Sequence, residues 1–330
     1  MIISQTPLRV SLAGGGTDLP AYCEASEGRV LSTAIDKYIH VIVQERFDEQ
    51  IHVNYAKRKE VVESVDALQH PLAREAMKMA GMKGGFEVTT LADIPSEGSG
   101  LGSSSTLTVG YLNAFHSFMG RQVDAETLAR QACEIEIDRL KKPIGRQDQY
   151  IAAYGGVRFF RFGAGGKVDV SAVDAKTKTL RELENGLLLY FTGKTRSADG
   201  LLAAQGAKMG DNKKSMDVIG ALAQDARAAL EAGDADGIGR ALDANWRQKR
   251  ALVDGVTDPD IDGFYEKAKR HGAIGGKVTG AGGGGFFILY APELKRAELR
   301  AALKGHRELP IALEPDGSKI IFNQKRRIWK

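Results

Sequence analysis

Hydrophobic and polar positions alternate along residues 1–12, MIISQTPLRVSL, and this period of two predicts a strand in which Arg9 is the notable polar member. Arg29–Ile35 and Tyr38–Arg46 are rich in Val and Ile and predict two more strands, joined by Asp36-Lys37 as a hairpin turn. Gln50–Tyr55 and Gly85–Leu91 predict shorter strands, and Gln69–Ala80 predicts a helix closed by Gly81. The period then changes. Leu107, Tyr111, Ala114, Phe115 and Phe118 recur at three- and four-residue spacing, so an amphipathic helix begins near Ser103. A second helix starts at Asp124 as N-cap and runs to about Leu140. Pro143 and Gly145 interrupt the pattern, and Arg146–Tyr154 predicts a short helix ended by Gly155-Gly156.

Val157–Phe162 and Lys167–Val173 read as paired strands and Gly186–Phe191 as a buried one. Helices follow near residues 197–209, 213–232, 234–253 and 260–271. Gly275–Thr279 and the glycine run 280–285 lead into a strand at Phe286–Tyr290, and a helix (293–303) and a final strand close the chain. Strands mixed with grouped helices predict an α+β architecture. A chain of 330 residues suits two domains of ordinary size, divided here into residues 1–183 and 184–330.

Composition narrows the class. Hydrophobic residues make up 43% and charged residues 27%, enough for a full core and too balanced for disorder. The net charge of +4 is mild and favours small anionic substrates over a nucleic-acid surface. Two cysteines, Cys23 and Cys133, imply no disulfide framework, in keeping with a reducing cytoplasm. The N-terminus lacks the pattern of a signal peptide, and no stretch has the length of a membrane span. The 39 glycines are the outlier, and they cluster, which implies several tight backbone sites.

One such cluster is PSEGSGLGSSST at Pro95–Thr106. Its glycines let backbone approach an anion, and the helix behind them aims free N–H groups and a positive dipole end at the same point. A phosphate suits that place. The spacing is neither GxxxxGK[ST] nor GxGxxG. A flexible linker is the other reading, and the apolar helix directly behind argues against it.

On the 124–140 helix, Glu136 falls within the stripe of Leu128, Ala129, Ala132, Cys133 and Leu140, while Glu134 and Asp138 fall on the opposite face. A carboxylate there needs a metal or a salt bridge. Asp148, opening a short helix, is open to either a first-turn or a chemical role. The run GAGGGG (Gly280–Gly285) suits a loop pressed against a ligand or against another backbone. Lys194 and Arg196 lie in a loop after a buried strand, where cations serve either a ligand or the solvent.

Three motifs in order, PLRVSLAGGGTD (Pro7–Asp18), PSEGSGLGSSST (Pro95–Thr106) and KVTGAGGGGF (Lys277–Phe286), resemble those of the GHMP kinase family, named for galactokinase, homoserine kinase, mevalonate kinase and phosphomevalonate kinase. The resemblance covers nearly the whole chain. It implies an α+β fold with a ribosomal-protein-S5-like, ATP-binding N-terminal domain and a ferredoxin-like C-terminal domain. It implies ATP and Mg²⁺ as cofactors. The phosphates would lie on Gly98, Ser99, Gly100, Leu101, Gly102, Ser103, Ser104 and Ser105, and the magnesium on Ser104 and Glu136. Asp148 matches the catalytic aspartate and Arg9 the basic residue that supports it. Gly14, Gly15, Gly16, Thr17 and Asp18 match the sugar-binding segment. Lys194, Arg196, Gly280, Ala281, Gly282 and Gly283 complete the implied substrate site.

Galactokinases carry Glu-His where this chain has Gly15-Gly16, a change that admits a longer or more anionic sugar. GGGTDLP with TGKTR is most similar to the branch that phosphorylates the anomeric hydroxyl of D-glycero-D-manno-heptose 7-phosphate, a step toward nucleotide-activated heptose for bacterial surface polysaccharide. The L-fucose kinase branch has a similar pattern. A non-catalytic sugar-phosphate sensor of the same fold would have lost Asp148, Glu136 or Ser104, and all three are present. The implied partners are a small-molecule sugar phosphate and ATP, with no nucleic acid and no membrane. A cytoplasmic enzyme is implied, and a homodimer is admitted.

Overall fold

In a computed structural model, which describes residues 1–56, 58–94, 98–195 and 198–324, strand β1 (Ile2–Ala13) pairs along its length with β2 (Gly28–Glu45); the short helix α1 (Pro20–Cys23) lies between them in the chain. The hairpin turn expected at Asp36-Lys37 does not form. Residues 28–45 are one strand, and Asp36-Lys37 is a bulge in it, since Pro7 pairs with Tyr38 and Leu8 with Ile35. A polar dipeptide between two Val/Ile-rich runs reads alike whether the chain reverses or only kinks.

Beyond β2 the chain forms β3 (Ile51–Tyr55), β4 (Arg58–Val62), α2 (Pro71–Ala80) and β5 (Phe86–Ala92). Helices α3 (Ser103–Phe118), α4 (Ala125–Cys133) and α5 (Gln147–Tyr154) follow, then β6 (Val157–Phe162) and β7 (Val168–Ala172). The second half begins with α6 (Thr177–Gly186) and β8 (Leu187–Phe191). It continues through α7 (Ala198–Ala207), α8 (Met209–Glu231), α9 (Asp236–Lys249) and α10 (Pro259–Arg270). It ends with β9 (Gly275–Val278), β10 (Phe286–Tyr290), α11 (Glu293–Ala302), β11 (Glu308–Leu309) and β12 (Lys319–Asn323). The division expected at 183/184 falls inside α6.

Two sheets result. The first runs β12-β1-β2-β5-β3-β4, with β6 and β7 continuing from the Gly28–Thr33 half of β2. Each half of β2 therefore has its own third strand, because Ile39–Glu45 pairs with β5 instead. The second sheet is antiparallel, in the order β11-β8-β10-β9. β12 carries the chain back to β1.

Strand periodicity sorts the core. One face of the first sheet packs on α2 to α5 through residues such as Val41, Val43, Val109, Leu112 and Ala132. Its other face, with Leu8, Val10 and Leu12, meets α8 and α9 and the Leu187, Leu189, Phe286 and Ile288 side of the second sheet. Leu188, Tyr190, Phe287 and Leu289 point the other way, toward α10 and α11. β10 is buried on both faces, as its unbroken apolar run requires. Cys23 and Cys133 are free and buried. Among the described residues, no helix is long and apolar enough to cross a membrane.

Candidate active site

A cavity of about 550 Å³ opens where the glycine loop, the start of β1's sequel and the second sheet's glycine run converge. That volume suits a small-molecule site. Gly98, Gly100 and Gly102 all take positive φ, and helix α3 begins at Ser103 directly behind them. Its first-turn N–H groups have no helical acceptor, and Ser103, Ser104 and Ser105 line the cavity. Residues 95–97 lie outside the described residues. Leu101 turns inward instead. It is fully buried, and its carbonyl accepts from the Arg9 backbone N–H at 3.1 Å.

The two glycine runs touch. A Cβ on Gly100 would stand 2.6 Å from the Thr279 carbonyl oxygen, and one on Gly280 would stand 2.7 Å from the Gly100 Cα. Backbone packs on backbone, so glycine is required for closeness here, while Ala281, Gly282 and Gly284 still line the cavity. Gly283 does not line it; its N–H donates to the Val256 carbonyl at 2.9 Å.

Arg9 reaches the cavity from β1. Its Nε and Nη2 each donate to one oxygen of Asp148 at 2.6 Å, and its Nη1 donates to the Gly100 carbonyl at 2.6 Å. This fork fixes the carboxylate's plane and ties it to the glycine loop. Arg9 is 5% exposed and Asp148 23%, so the pair is sunk with its acid end facing the cavity.

Glu136 is fully buried, as the helical wheel expects, although the helix is not α throughout. After Cys133 the chain widens into a π-helical turn over Glu134–Arg139, with Leu140 N–H donating to the Ile135 carbonyl at 3.0 Å. Such turns concentrate at functional sites. Glu136 Oε1 accepts from Ser104 Oγ at 2.6 Å and from Lys142 Nζ at 3.0 Å, and Oε2 accepts from Gln149 Nε2 at 2.8 Å. Lys142 Nζ also donates to Ser104 Oγ at 2.6 Å. An ammonium ion thus stands between a serine hydroxyl and a carboxylate. These are hard oxygen donors already holding a cation, and they fit magnesium, which uses few protein ligands alongside phosphates. Among the described residues there is no cluster of three or more His, Cys, Asp or Glu side chains that could hold a metal by itself.

Asp18 is buried beside this centre. Its oxygens accept from Gly16 N–H at 3.0 Å and from the Gln147 backbone and side-chain N–H groups, both at 3.1 Å. Burial, and then the charge of Asp148, pushes its carboxyl above the usual range, against those hydrogen bonds. A Cβ on Gly145 would fall 1.9 Å from Asp18 Oδ2, so this glycine makes room for the carboxylate. Gly15 and Gly16 line the cavity as expected. Gly14 and Thr17 do not: Gly14 donates to Asn245 Oδ1 at 3.1 Å, and the Thr17 hydroxyl bridges the Gly14 and Arg29 carbonyls at 2.8 and 2.9 Å. They brace the loop that carries Asp18.

Of the two cations expected after β8, Lys194 is not assembled with the rest. Lys194 Nζ is held by Asp258 at 2.8 Å and Asp260 at 2.7 Å, on an exposed surface. Two carboxylates on one ammonium account for its position at the surface. Arg196 lies outside the described residues. Two lysines not singled out from the sequence stand in the cavity wall instead. Lys249 is buried, donates to the Gly280 carbonyl, and is pushed down to about 8 chiefly by burial and then by Arg9, with Asp18 and Asp148 pulling the other way. Lys277 is 2% exposed and lies well below the usual lysine range through burial, then Lys249 and Arg9. Lys249 was findable: it shares the stripe of Ile238, Leu242, Asn245 and Trp246, the same argument that finds Glu136. Lys142 had no such signal, because it sits in a loop.

Known proteins resemble this chain along most of its length. Residues 59–156 match the GHMP kinases N terminal domain and residues 226–307 the GHMP kinases C terminal domain. D-glycero-alpha-D-manno-heptose 7-phosphate kinase of Campylobacter jejuni is 34% identical over 92% of this chain and 93% of its own. L-fucokinase/L-fucose-1-P guanylyltransferase of Bacteroides fragilis is 29% identical over 90% of this chain but only 35% of its own. A crystal structure of a D-glycero-D-manno-heptose 1-phosphate kinase from Bacteroides thetaiotaomicron superposes with a TM-score of 0.81 at 28% identity, covering 98% of this chain and 100% of that one. The chain belongs to the GHMP kinase family. It is an ATP-dependent sugar kinase.

Proposed function

We propose that the enzyme transfers the γ-phosphoryl group of ATP to the anomeric hydroxyl of D-glycero-D-manno-heptose 7-phosphate, giving the 1,7-bisphosphate and ADP. The observation that carries the reading is the Arg9–Asp148 fork, tied by one hydrogen bond to the glycine loop. It sets a carboxylate beside the start of helix α3. The full-length relative that acts on heptose 7-phosphate supports the substrate.

The residues divide the work. First-turn amides of α3 hold phosphate oxygens. Asp148 orients the anomeric hydroxyl and takes its proton as the new bond forms. Arg9 keeps Asp148 in one orientation and offsets negative charge near the transferring group. Asp18, with three donors already on its two oxygens, retains acceptor capacity for a sugar hydroxyl. Ser104 and Glu136 would hold magnesium, which supplies charge neutralisation between phosphates when bound. The reaction would run in the cytoplasm, where ATP is available, as a step toward nucleotide-activated heptose.

The test offers ATP with heptose 7-phosphate, unphosphorylated heptose and L-fucose and reads ADP release. Heptose 7-phosphate should be preferred. Preference for L-fucose would transfer the assignment to that branch.

A further inference from the structure

Lys249 and Lys277 are two buried lysines that the reaction as described does not use. Each ammonium carries three donors and no acceptor. Lys249 satisfies one of them on the Gly280 carbonyl. The Lys277 side chain makes no hydrogen bond or ion pair among the described residues, and it lines the cavity. Among the described residues neither lysine is in an ion pair with a carboxylate. Arg9, the third cation beside them, is already matched by both oxygens of Asp148.

Burying two like charges side by side opposes folding. Among the described residues no ion pair offsets it, and Asp18 and Asp148 favour the charge of Lys249 only from beyond ion-pair distance. Lys194 is the contrast, exposed and neutralised by two aspartates. A cavity wall with an excess of buried, under-hydrogen-bonded ammonium groups is built for an anion that enters with the substrates.

We propose that Lys249 and Lys277 form a binding site for a phosphoryl group, supplying charge-assisted donors to a phosphate dianion that one of the two substrates brings. The inference rests on the kinase reading above, which provides two sources for that group: the terminal phosphate of the sugar, or the γ-phosphoryl of ATP in transfer. On either source the pair is a recognition element absent from the glycine loop, and it takes over the role expected of Lys194.

The full chain is compared with Lys277→Met, Lys249→Met and the surface control Lys213→Met. Two readouts are used. The first is the rise in Tm caused by inorganic phosphate, recorded with saturating ADP and magnesium so that the nucleotide's own phosphate positions are filled. It should be clear in the wild type and in Lys213→Met, and reduced to half or less in each buried-lysine variant. The second is kcat/KM for heptose 7-phosphate and for unphosphorylated heptose. Loss of one charged hydrogen bond predicts a fall of about ten- to a hundredfold. A fall confined to the phosphorylated sugar assigns the site to the sugar's phosphate; an equal fall with both sugars assigns it to the γ-phosphoryl. Unchanged phosphate stabilisation together with unchanged kcat/KM in Lys277→Met overturns the proposal. A wild type that turns over neither sugar overturns the substrate reading instead, and the phosphate shift still tests the lysines.

Discussion

Replacing Lys142 by Met should separate the metal assignment at Glu136 from a plain structural salt bridge. Glu136 is fully buried, and Lys142 Nζ, 3.0 Å away, is its single positive neighbour at ion-pair distance among the described residues. Removing one partner of a buried pair costs about 3–5 kcal/mol, because the remaining charge is left uncompensated. Lys142 is 23% exposed, and Ser104 and Gln149 still donate to Glu136, so about 2–3 kcal/mol is the reasonable figure here. For a chain of 330 residues that is a fall in Tm of roughly 3–4 °C. A divalent cation has to displace the ammonium in the wild type but not in the variant. At about 100 times its Kd, a bound ion returns roughly 2.7 kcal/mol. Magnesium without nucleotide should therefore restore most of the lost Tm in Lys142→Met and shift the wild type little. Mn²⁺ binding followed by electron paramagnetic resonance gives the same comparison directly. Lys142→Met combined with Glu136→Gln should lose the metal response, and Glu134→Gln, whose carboxylate is exposed and paired with Arg139, should behave like the wild type. A Lys142→Met protein with the wild-type Tm, or with the same magnesium titration as the wild type, refutes the reasoning.

Two further outcomes are expected. Asp148→Asn keeps the shape of the carboxylate but not its charge, and kcat should fall about a hundredfold or more while ATP affinity, measured by calorimetry, stays near normal; near-normal turnover removes Asp148 from the reaction. Lys249 titrates at about 8 in the folded chain against 10.5 ordinarily, so over that window the unfolded chain holds the extra proton and stability rises with pH. Below about pH 8 the burial penalty is complete, worth roughly 3 kcal/mol at 1.36 kcal/mol per pH unit, so Lys249→Met should be the more stable protein at neutral pH and lose that advantage toward pH 10. A constant gap between the two denaturation curves across that range contradicts it.

Much of the site was legible because its residues carry period or spacing. Glu136 followed from a helical wheel, and the glycine loop followed from alternation ahead of an amphipathic helix. The wheel survived the π-helical turn because one extra residue of widening near the helix end does not carry a central residue off the buried face. What failed were positions decided by tertiary partners. Asp36-Lys37 became a bulge because both halves of β2 share β1 as a neighbour. Lys194 was drawn away by Asp258 and Asp260, which are distant in sequence. Gly14 and Thr17 proved to be braces for Asp18, a role set by Arg29 and Asn245. Helix α6 was missed although it is strongly amphipathic, with Thr179, Leu183 and Gly186 on its buried face; its apolar residues are few and its other positions are mostly polar or charged.

The substrate assignment is tested most directly by kcat/KM for heptose 7-phosphate, unphosphorylated heptose and L-fucose measured side by side with ATP, with the product's new phosphate located by ³¹P NMR. The expected result is a preference for heptose 7-phosphate over the unphosphorylated sugar of about a hundredfold, the size of one or two charged hydrogen bonds to phosphate, with the new phosphate on the anomeric carbon. Equal or better use of L-fucose, or a new phosphate at any other position, would contradict it.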